Sequence, residues 1–328
     1  MENQPILHPD RNLAMELVRV TEAAAISAAR YMGRGNKIEG DGAAVDAMRA
    51  FLSTVNMKGV VVIGEGEKDE APMLFNGEQV GTGKGPEVDV AVDPIDGTRL
   101  LAYGRHNAIS VIAVAERHSM WDPGGSLYMD KIVVGKKAKE VIDIRLSTKE
   151  NLNRIAEALD RNVSDLTVFV LDKPRHLKLI AEIREAGARI TLHTDGDVMG
   201  ALLAAAPDSG VDVLMGIGGT PEGVIAAAAV KALDGGMQGM RAPQLDYEID
   251  RLKEEGCDLG EVLTLDKLIR SNNTYFAATG ITGGTFLEEV RFGEDGVVTT
   301  YSMVIRSRTG SLRFIKGVHQ LERKQMPK

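Results

Sequence analysis

The chain has 328 residues, 44% of them apolar and 26% charged, with a formal charge of −8 and one cysteine. That is enough apolar material for one large domain or two ordinary ones, in the proportions of a soluble globular protein. Negative charge without a long basic run argues against nucleic acid or an anionic membrane as main partner, and the lone Cys257 can form neither an internal disulfide nor a thiolate metal cluster, which suits a reducing cytoplasm. Residues 1–20 lack the basic-then-apolar order of a signal peptide, and no apolar run approaches the ~20 residues of a membrane span. Residues 11–32 read as an amphipathic helix, with Asp10 as N-cap and Gly33 as its stop. A basic-polar turn, "GRGNKIEGDG", leads to a second helix from near Gly42, where Asp41 has the character of an N-cap. "KGVVVIG", "EVDVAVD" and "AISVIAVAE" are short apolar runs of strand composition. From about residue 166 strands and helices alternate: "LTVFVLD", "PRHLKLIAEIREAG", "ARITLH", "DVMGALLAAA", "VDVLMG", "PEGVIAAAAVKAL". Such alternation predicts a parallel, doubly wound sheet covered on both faces. The last stretch, from "NTYFAATGITGG" to "SLRFIKGV", reads as antiparallel strands joined by glycine-containing turns.

In open α/β sheets ligands gather beyond the carboxyl ends of the strands. Acids crowd that edge here. "VVVI" is followed by Glu65, Glu67, Asp69 and Glu70; "VDVAV" by Asp93 and Asp96; "ITLHT" by Asp195 and Asp197. A glycine-rich turn, "IGGTPEG", then brings Glu222 into the first turn of a helix. Taken singly, each has a plain explanation: a solvated strand end, a helix cap, a turn around glycine, a complement to a helix dipole. With the cap reading of Asp41 added, these explanations need five coincidences on one edge. A divalent-metal site needs one cause, because hard cations take oxygen ligands and offset the repulsion of clustered carboxylates. In "DPIDGT", Asp93 and Asp96 would ligate metal, Pro94 would fix the turn and Gly97 would admit the ligand. Thr98 would open a helix with its hydroxyl toward the attacking water, which two metals would activate.

Basic residues reach the same edge. "LDKPRH" places Lys173, Pro174 and Arg175 after another strand, and glycine-rich helix starts offer N–H groups to an anion. Cations beside clustered acids suggest a phosphate ester bridging metal and protein. "GTGKG" at 81–85 lacks the spacing and hydroxyl residue of a true phosphate loop and reads as a surface turn.

"GEGE" followed by "DPIDGT" resembles the lithium-sensitive, metal-dependent phosphatase superfamily. The Trp-Asp-x-Ala-Ala motif of that superfamily is absent; the single tryptophan, Trp121, lies in "SMWDPGG", and "GIGGTPEGV" stands in the motif's place. With "RVTEAAA", "GDGAAVDAMR", "IGEGEKDEAPML", "KPRH" and "DGDV", the likeness from about residue 12 to the C-terminus is to the class II fructose-1,6-bisphosphatases. That resemblance implies an α/β, layered αβαβα sugar-phosphatase fold, with a mixed N-terminal sheet and a largely parallel second sheet. It implies a metal-binding half, 1–155, and a substrate-binding half, 156–328, working as one catalytic unit. The activity implied is hydrolysis of the 1-phosphate of fructose 1,6-bisphosphate in gluconeogenesis, with two or more Mn²⁺ or Mg²⁺ ions per site. Asp41 and Glu65 match the ligands of one ion; Asp93, Asp96 and Glu222 match those of the second. Asp96, Gly97 and Thr98 match the segment facing the scissile phosphate. Tyr128, Lys173 to Arg175, Asp195, Gly196, Asp197 and Gly219 match substrate-binding positions. The family implies a homo-oligomer, dimer or tetramer, in the cytoplasm. Asn36 of "RGNK" stands where Asp is frequent in the family, while Lys37 is retained; the segment after "MQGM" is shorter than in some relatives. Two alternatives stand beside this reading: a broader bisphosphatase that also takes sedoheptulose 1,7-bisphosphate, and a non-catalytic sugar-phosphate sensor.

Overall fold

A computed structural model describes residues 13–65 and 74–321. Asp10 and the acids Glu67, Asp69 and Glu70 lie outside the described residues. Helix α1, Leu13–Ala29, is apolar on most of its surface and is buried along most of its length. Helix α2, Lys37–Leu52, begins five residues earlier than the position of Gly42 predicts, because Asn36 caps it, accepting the Glu39 N–H at 3.3 Å. Asp41 is therefore inside the helix, which removes its explanation as a cap. Asp and Asn serve equally as N-caps, so the Asn36 departure costs the helix nothing.

The strands that follow are β1 (Lys58–Ile63), β2 (Gln79–Val80), β3 (Glu87–Asp96), β4 (Ile109–Glu116) and β5 (Tyr128–Val134), with the short helix α3 (Thr98–Ala102) between β3 and β4. Helix α4 (Thr148–Ala158) precedes β6 (Thr167–Leu171), α5 (Leu177–Glu185), β7 (Arg189–His193), α6 (Asp197–Ala205), β8 (Val213–Gly219) and α7 (Thr220–Ala232). The chain ends with β9 (Gly236–Arg241), α8 (Asp246–Glu254), β10 (Leu263–Thr264), α9 (Leu265–Leu268), β11 (Tyr275–Gly280), β12 (Arg291–Phe292), β13 (Val297–Arg306) and β14 (Ser311–Gln320).

One sheet runs β12-β13-β11-β4-β3-β1-β2, with β14 also on β13; the other runs β10-β9-β5-β8-β6-β7. The first is mixed, as expected: β1 and β3 are parallel and the remaining pairs antiparallel. In the second, β6 pairs in parallel with β7 and β8, but β5 is inserted antiparallel between β8 and β9. That sheet is less parallel than the β-α alternation alone suggests, since β5 arrives from outside the alternating segment. Its sequence, "YMDKIVV", has two charges inside the run, which hides it from a hydrophobicity pattern. The sheets do not coincide with the two halves of the sequence either: β5 joins the second sheet, and β11 to β14 return to complete the first.

The layers are five. Helices α1 and α2 bury their apolar faces on one side of the first sheet, in a core that includes Leu17, Met48, Val90 and Ile112. Between the sheets lie α6 and α7, whose residues share a core with Ala91 and Val111 of the first sheet and Met129 and Phe169 of the second. A helix sandwiched between sheets has no solvent face, and α7 accordingly is alanine-rich and buried almost throughout. Helices α4 and α5 close the outer face of the second sheet, packing Ile155 and Ile183 against Ile132 and Val168. The αβαβα layering is the one the family resemblance implies.

Candidate metal and phosphate site

Residues three apart on a regular strand point to opposite faces. At the end of β3 the pairing with β4 slips: Asp93 stands opposite Val111 and Asp96 opposite Ile109, so three residues advance against two. This is a β-bulge, which re-aims a side chain and tolerates Pro94, a residue with no N–H for the ladder. Asp93 and Asp96 are thereby brought to the same side, both buried. The Ile95 N–H donates to Asp93 Oδ1 at 2.9 Å and holds that carboxylate in place. Gly97 follows at φ +91°, a left-handed conformation open to glycine, and serves as the N-cap of α3. Thr98 is the first residue of that helix and caps nothing.

The same device recurs after β7. Gly196, also left-handed, starts α6, and Asp197 is its first residue. The two turns are bonded to each other. The Met199 N–H of α6 donates to Asp96 Oδ2 at 3.1 Å, and the Arg99 N–H of α3 donates to Asp195 Oδ2 at 3.3 Å. Glu222 occupies the first turn of α7, with Gly219 as N-cap. A Cβ at Gly219 would collide with the Glu222 carboxylate, so glycine is what lets that acid lie along the strand end.

The acids form one electrostatic group. Burial, then the charges of Asp41 and Glu222, push the Glu65 carboxyl up to about 7, against a smaller opposing hydrogen bond with Asp93. Glu65 as a residue keeps solvent access, while its carboxyl end faces these neighbours. Burial and then Asp197 push Glu222 up to about 7, opposed by Lys131. Asp93 and Asp96 are raised well above the ordinary range, first by burial and then by neighbouring carboxylates, and Asp41 is raised by burial.

Among the described residues no three His, Cys, Asp or Glu side chains close on one point as a finished metal cage. The donor set nevertheless fits a hard cation. Asp41 Oδ1 and Glu222 Oε2 are buried with no hydrogen-bond partner among the described residues, and a buried carboxylate oxygen left unpaired is costly. Both belong to all-oxygen ligand types suited to Mg²⁺ or Mn²⁺.

Cations border the acids. Lys173 pairs with Asp195 at 3.9 Å. Its ammonium is pushed down by burial and by the nearby charges of Arg99, Arg175 and Lys37, against the pull of Asp195. Arg175 donates through Nε and Nη2 to the Ile217 carbonyl at 3.0 and 2.9 Å, and its guanidinium lies 5.3 Å from the centre of the Tyr128 ring. Beside it, His176 accepts the Ile217 N–H at Nε2 (2.7 Å) and so donates from Nδ1 to the Leu171 carbonyl (2.6 Å). It spans the gap where β8 parts from β6. Tyr128 lies opposite Gly219 in the β5–β8 register. Its N–H and that of Leu127 are held by the buried Glu248 at 2.8 and 2.6 Å.

The fold thus gathers Asp41, Glu65, Asp93, Asp96 and Glu222 with Asp195, Asp197 and Thr98, and sets Tyr128, Lys173, Arg175 and Gly219 around them. Sequence reasoning missed Lys131, whose ammonium is buried among these acids, and the positioning contacts of His176 and Glu248. A lysine inside the apolar run "KIVV" was the one available sign of the first.

Residues 11–319 match the family described as bacterial fructose-1,6-bisphosphatase, glpX-encoded. The chain is 46% identical over 327 residues to fructose-1,6-bisphosphatase 1 class 2 of Escherichia coli strain K12, covering 96% of this chain and 97% of that one. It has the same identity and coverage to the fructose-1,6-bisphosphatase class 2 of Shigella flexneri.

Proposed function

The chain belongs to the glpX-encoded bacterial fructose-1,6-bisphosphatase family, and from that premise we propose that it hydrolyses the 1-phosphate of fructose 1,6-bisphosphate to fructose 6-phosphate and phosphate, in cytoplasmic gluconeogenesis. The observation that carries this reading is the bulge at Asp93–Asp96. It turns two buried carboxylates to one side, in one electrostatic group with Glu222 and Glu65 and, through Glu65, with Asp41. Asp41 and Glu222 each carry an oxygen unpaired among the described residues, and a group of cations lies beside them at Asp195.

Asp41 and Glu65 would hold one divalent ion, and Asp93, Asp96 and Glu222 a second, Mn²⁺ or Mg²⁺. When bound, such ions lower the pKa of water and neutralise the leaving oxygen. The Thr98 hydroxyl orients the attacking water and passes its proton toward a neighbouring carboxylate, Asp96 being the nearest in sequence. Gly97 leaves the scissile phosphate room beside the backbone. Tyr128, Gly219 and the Asp195–Asp197 turn hold the sugar. Lys173 and Arg175 take the distant 6-phosphate, which the concentration of positive charge at Lys37, Arg99, Lys173 and Arg175 supports. Homo-oligomerisation is part of the same reading.

Phosphate release from fructose 1,6-bisphosphate with Mn²⁺ tests the activity. No release under any divalent ion, with the sugar phosphate still bound, would mark a sensor instead. Comparing kcat/KM with sedoheptulose 1,7-bisphosphate tests the breadth of specificity, because one added carbon is a modest discriminator.

A further inference from the structure

Lys131 sits on β5 with its side chain 2% exposed. Burying an ammonium is costly unless charge and hydrogen bonds repay it, and here both do. Nζ forms an ion pair with Asp197 Oδ2 and donates to the Gly219 carbonyl at 3.0 Å. These partners come from α6 and from the end of β8, so one ammonium ties three elements together. The surrounding backbone is shaped for it. A Cβ at Gly218 would collide with the Asp197 carboxylate and come within 2.8 Å of Nζ, and one at Gly223 would lie 3.4 Å from the lysine stem. The lysine's even-numbered neighbours on β5, Asp130 and Ile132, face the opposite side of the sheet, over α4 and α5. Its own face looks into the layer between the sheets, where Met129 and Val133 pack on α6 and α7. An apolar residue would fill that layer as well, which leaves the charge to be explained by Asp197 and Gly219.

We propose that Lys131 is a positioning residue for substrate: it fixes the Asp197 carboxylate and the Gly219 carbonyl at the spacing that the sugar meets. This rests on the reading of those two positions as substrate contacts. Lys131 itself touches no reacting atom. Its place beside Glu222 also gives its charge a definite sign of effect: a fixed positive charge repels a divalent ion entering the cluster. Loss of the charge therefore weakens substrate binding while leaving cation binding as strong or stronger. A simple loss of packing weakens both.

The test compares the unmodified chain with Lys131→Met, which keeps the length and volume of the stem, with Asp197→Asn, and with the double variant. KM and kcat for fructose 1,6-bisphosphate are measured at saturating Mn²⁺, and Mn²⁺ binding by calorimetry without substrate. In Lys131→Met, KM is expected to rise at least tenfold with kcat within about threefold, and Mn²⁺ to bind as tightly as before or several-fold more tightly. If that variant does not fold, the double variant decides, because it removes both buried charges together. Its KM is expected within threefold of Asp197→Asn alone, since with Asp197 neutralised the lysine has little left to position. A KM within twofold of the unmodified chain in folded Lys131→Met overturns the proposal, as does a further tenfold rise in the double variant. Weaker Mn²⁺ binding in step with the KM rise also overturns it in favour of packing. If the unmodified chain releases no phosphate, the activity reading fails and the role of Lys131 falls with it; an active unmodified chain with an indifferent Lys131→Met isolates the failure to this residue.

Discussion

Asp96 and Asp195 belong to turns on different sheets, yet each accepts a backbone N–H from the helix that the other introduces: Met199 N–H to Asp96 at 3.1 Å, Arg99 N–H to Asp195 at 3.3 Å. Each acid thus satisfies a donor that a helix start leaves orphaned, and the exchange locks "DGT" against "DGD". Because the bonds are mutual, the segment expected to face the phosphate cannot shift without the segment expected to face the sugar. The carboxylates left over point into a shared cluster, whose charge governs the expected behaviour below.

Removing one ligand charge without changing shape separates metal binding from folding. Glu222→Gln and Asp93→Asn are each expected to lower activity at least about a hundredfold, the scale for losing one preorganised electrostatic group. Neither should lower the melting temperature of metal-free protein, since each relieves repulsion among buried acids. The rise in melting temperature on adding Mn²⁺ should shrink or vanish. Full activity at limiting metal in either variant would rule out the ligand assignment.

The raised acids also set a pH dependence. Glu65 and Glu222 hold their protons up to about 7, against 4.5 for the free group, and Asp93 and Asp96 shift the same way. Between those values the folded chain binds more protons than the unfolded one, so stability falls as pH rises. Chelator-treated protein is expected to melt at a higher temperature near about pH 5.5 than near about pH 8. Mn²⁺, which must displace those protons, should stabilise more at the higher pH. A metal-free melting temperature that climbs between these two values would contradict the burial of the cluster.

Thr98 offers a kinetic test. Gly97, not Thr98, is the N-cap of α3, so losing the hydroxyl removes no cap, a loss that would otherwise cost about 1 kcal/mol. Thr98→Ala is expected to lower kcat by roughly 10²–10⁴, the range for a lost general acid–base step, with melting temperature and Mn²⁺ affinity nearly unchanged. Thr98→Ser should keep much of the rate. Normal turnover in the alanine variant would mean that another group orients the water.

Lys173 and Arg175 should differ when each is replaced by alanine. Both are expected to raise KM as the 6-phosphate loses a cation, with some loss of kcat if remote binding orients the sugar. Only Arg175→Ala should also destabilise, by about 1–3 kcal/mol, because it abandons two bonds to the Ile217 carbonyl and the Tyr128 ring. An unchanged KM in both variants would take the 6-phosphate elsewhere.

What the sequence determined by itself was local. The glycine and proline positions of "DPIDGT", the acids at strand ends and the β-α alternation after residue 166 depend on neighbours a few places away, and the turn chemistry and periodicity they carry survive without a fold. Family likeness added the layered architecture and the grouping of Asp41, Glu65, Asp93, Asp96 and Glu222. Tertiary structure decided the rest, through contacts between residues far apart in the chain. The start of α2 moved to Lys37 because Asn36 found an N–H to cap. The bulge that turns Asp93 and Asp96 to one side exists only in register with Val111 and Ile109. Strand β5 is held between β8 and β9 by pairing that its charged sequence does not advertise, and Lys131 lies 66 residues from the Asp197 it neutralises. A lysine in an apolar run reads as a break in the strand until its counter-charge is in place. Burial makes that counter-charge obligatory, and only the packed layers bring it there.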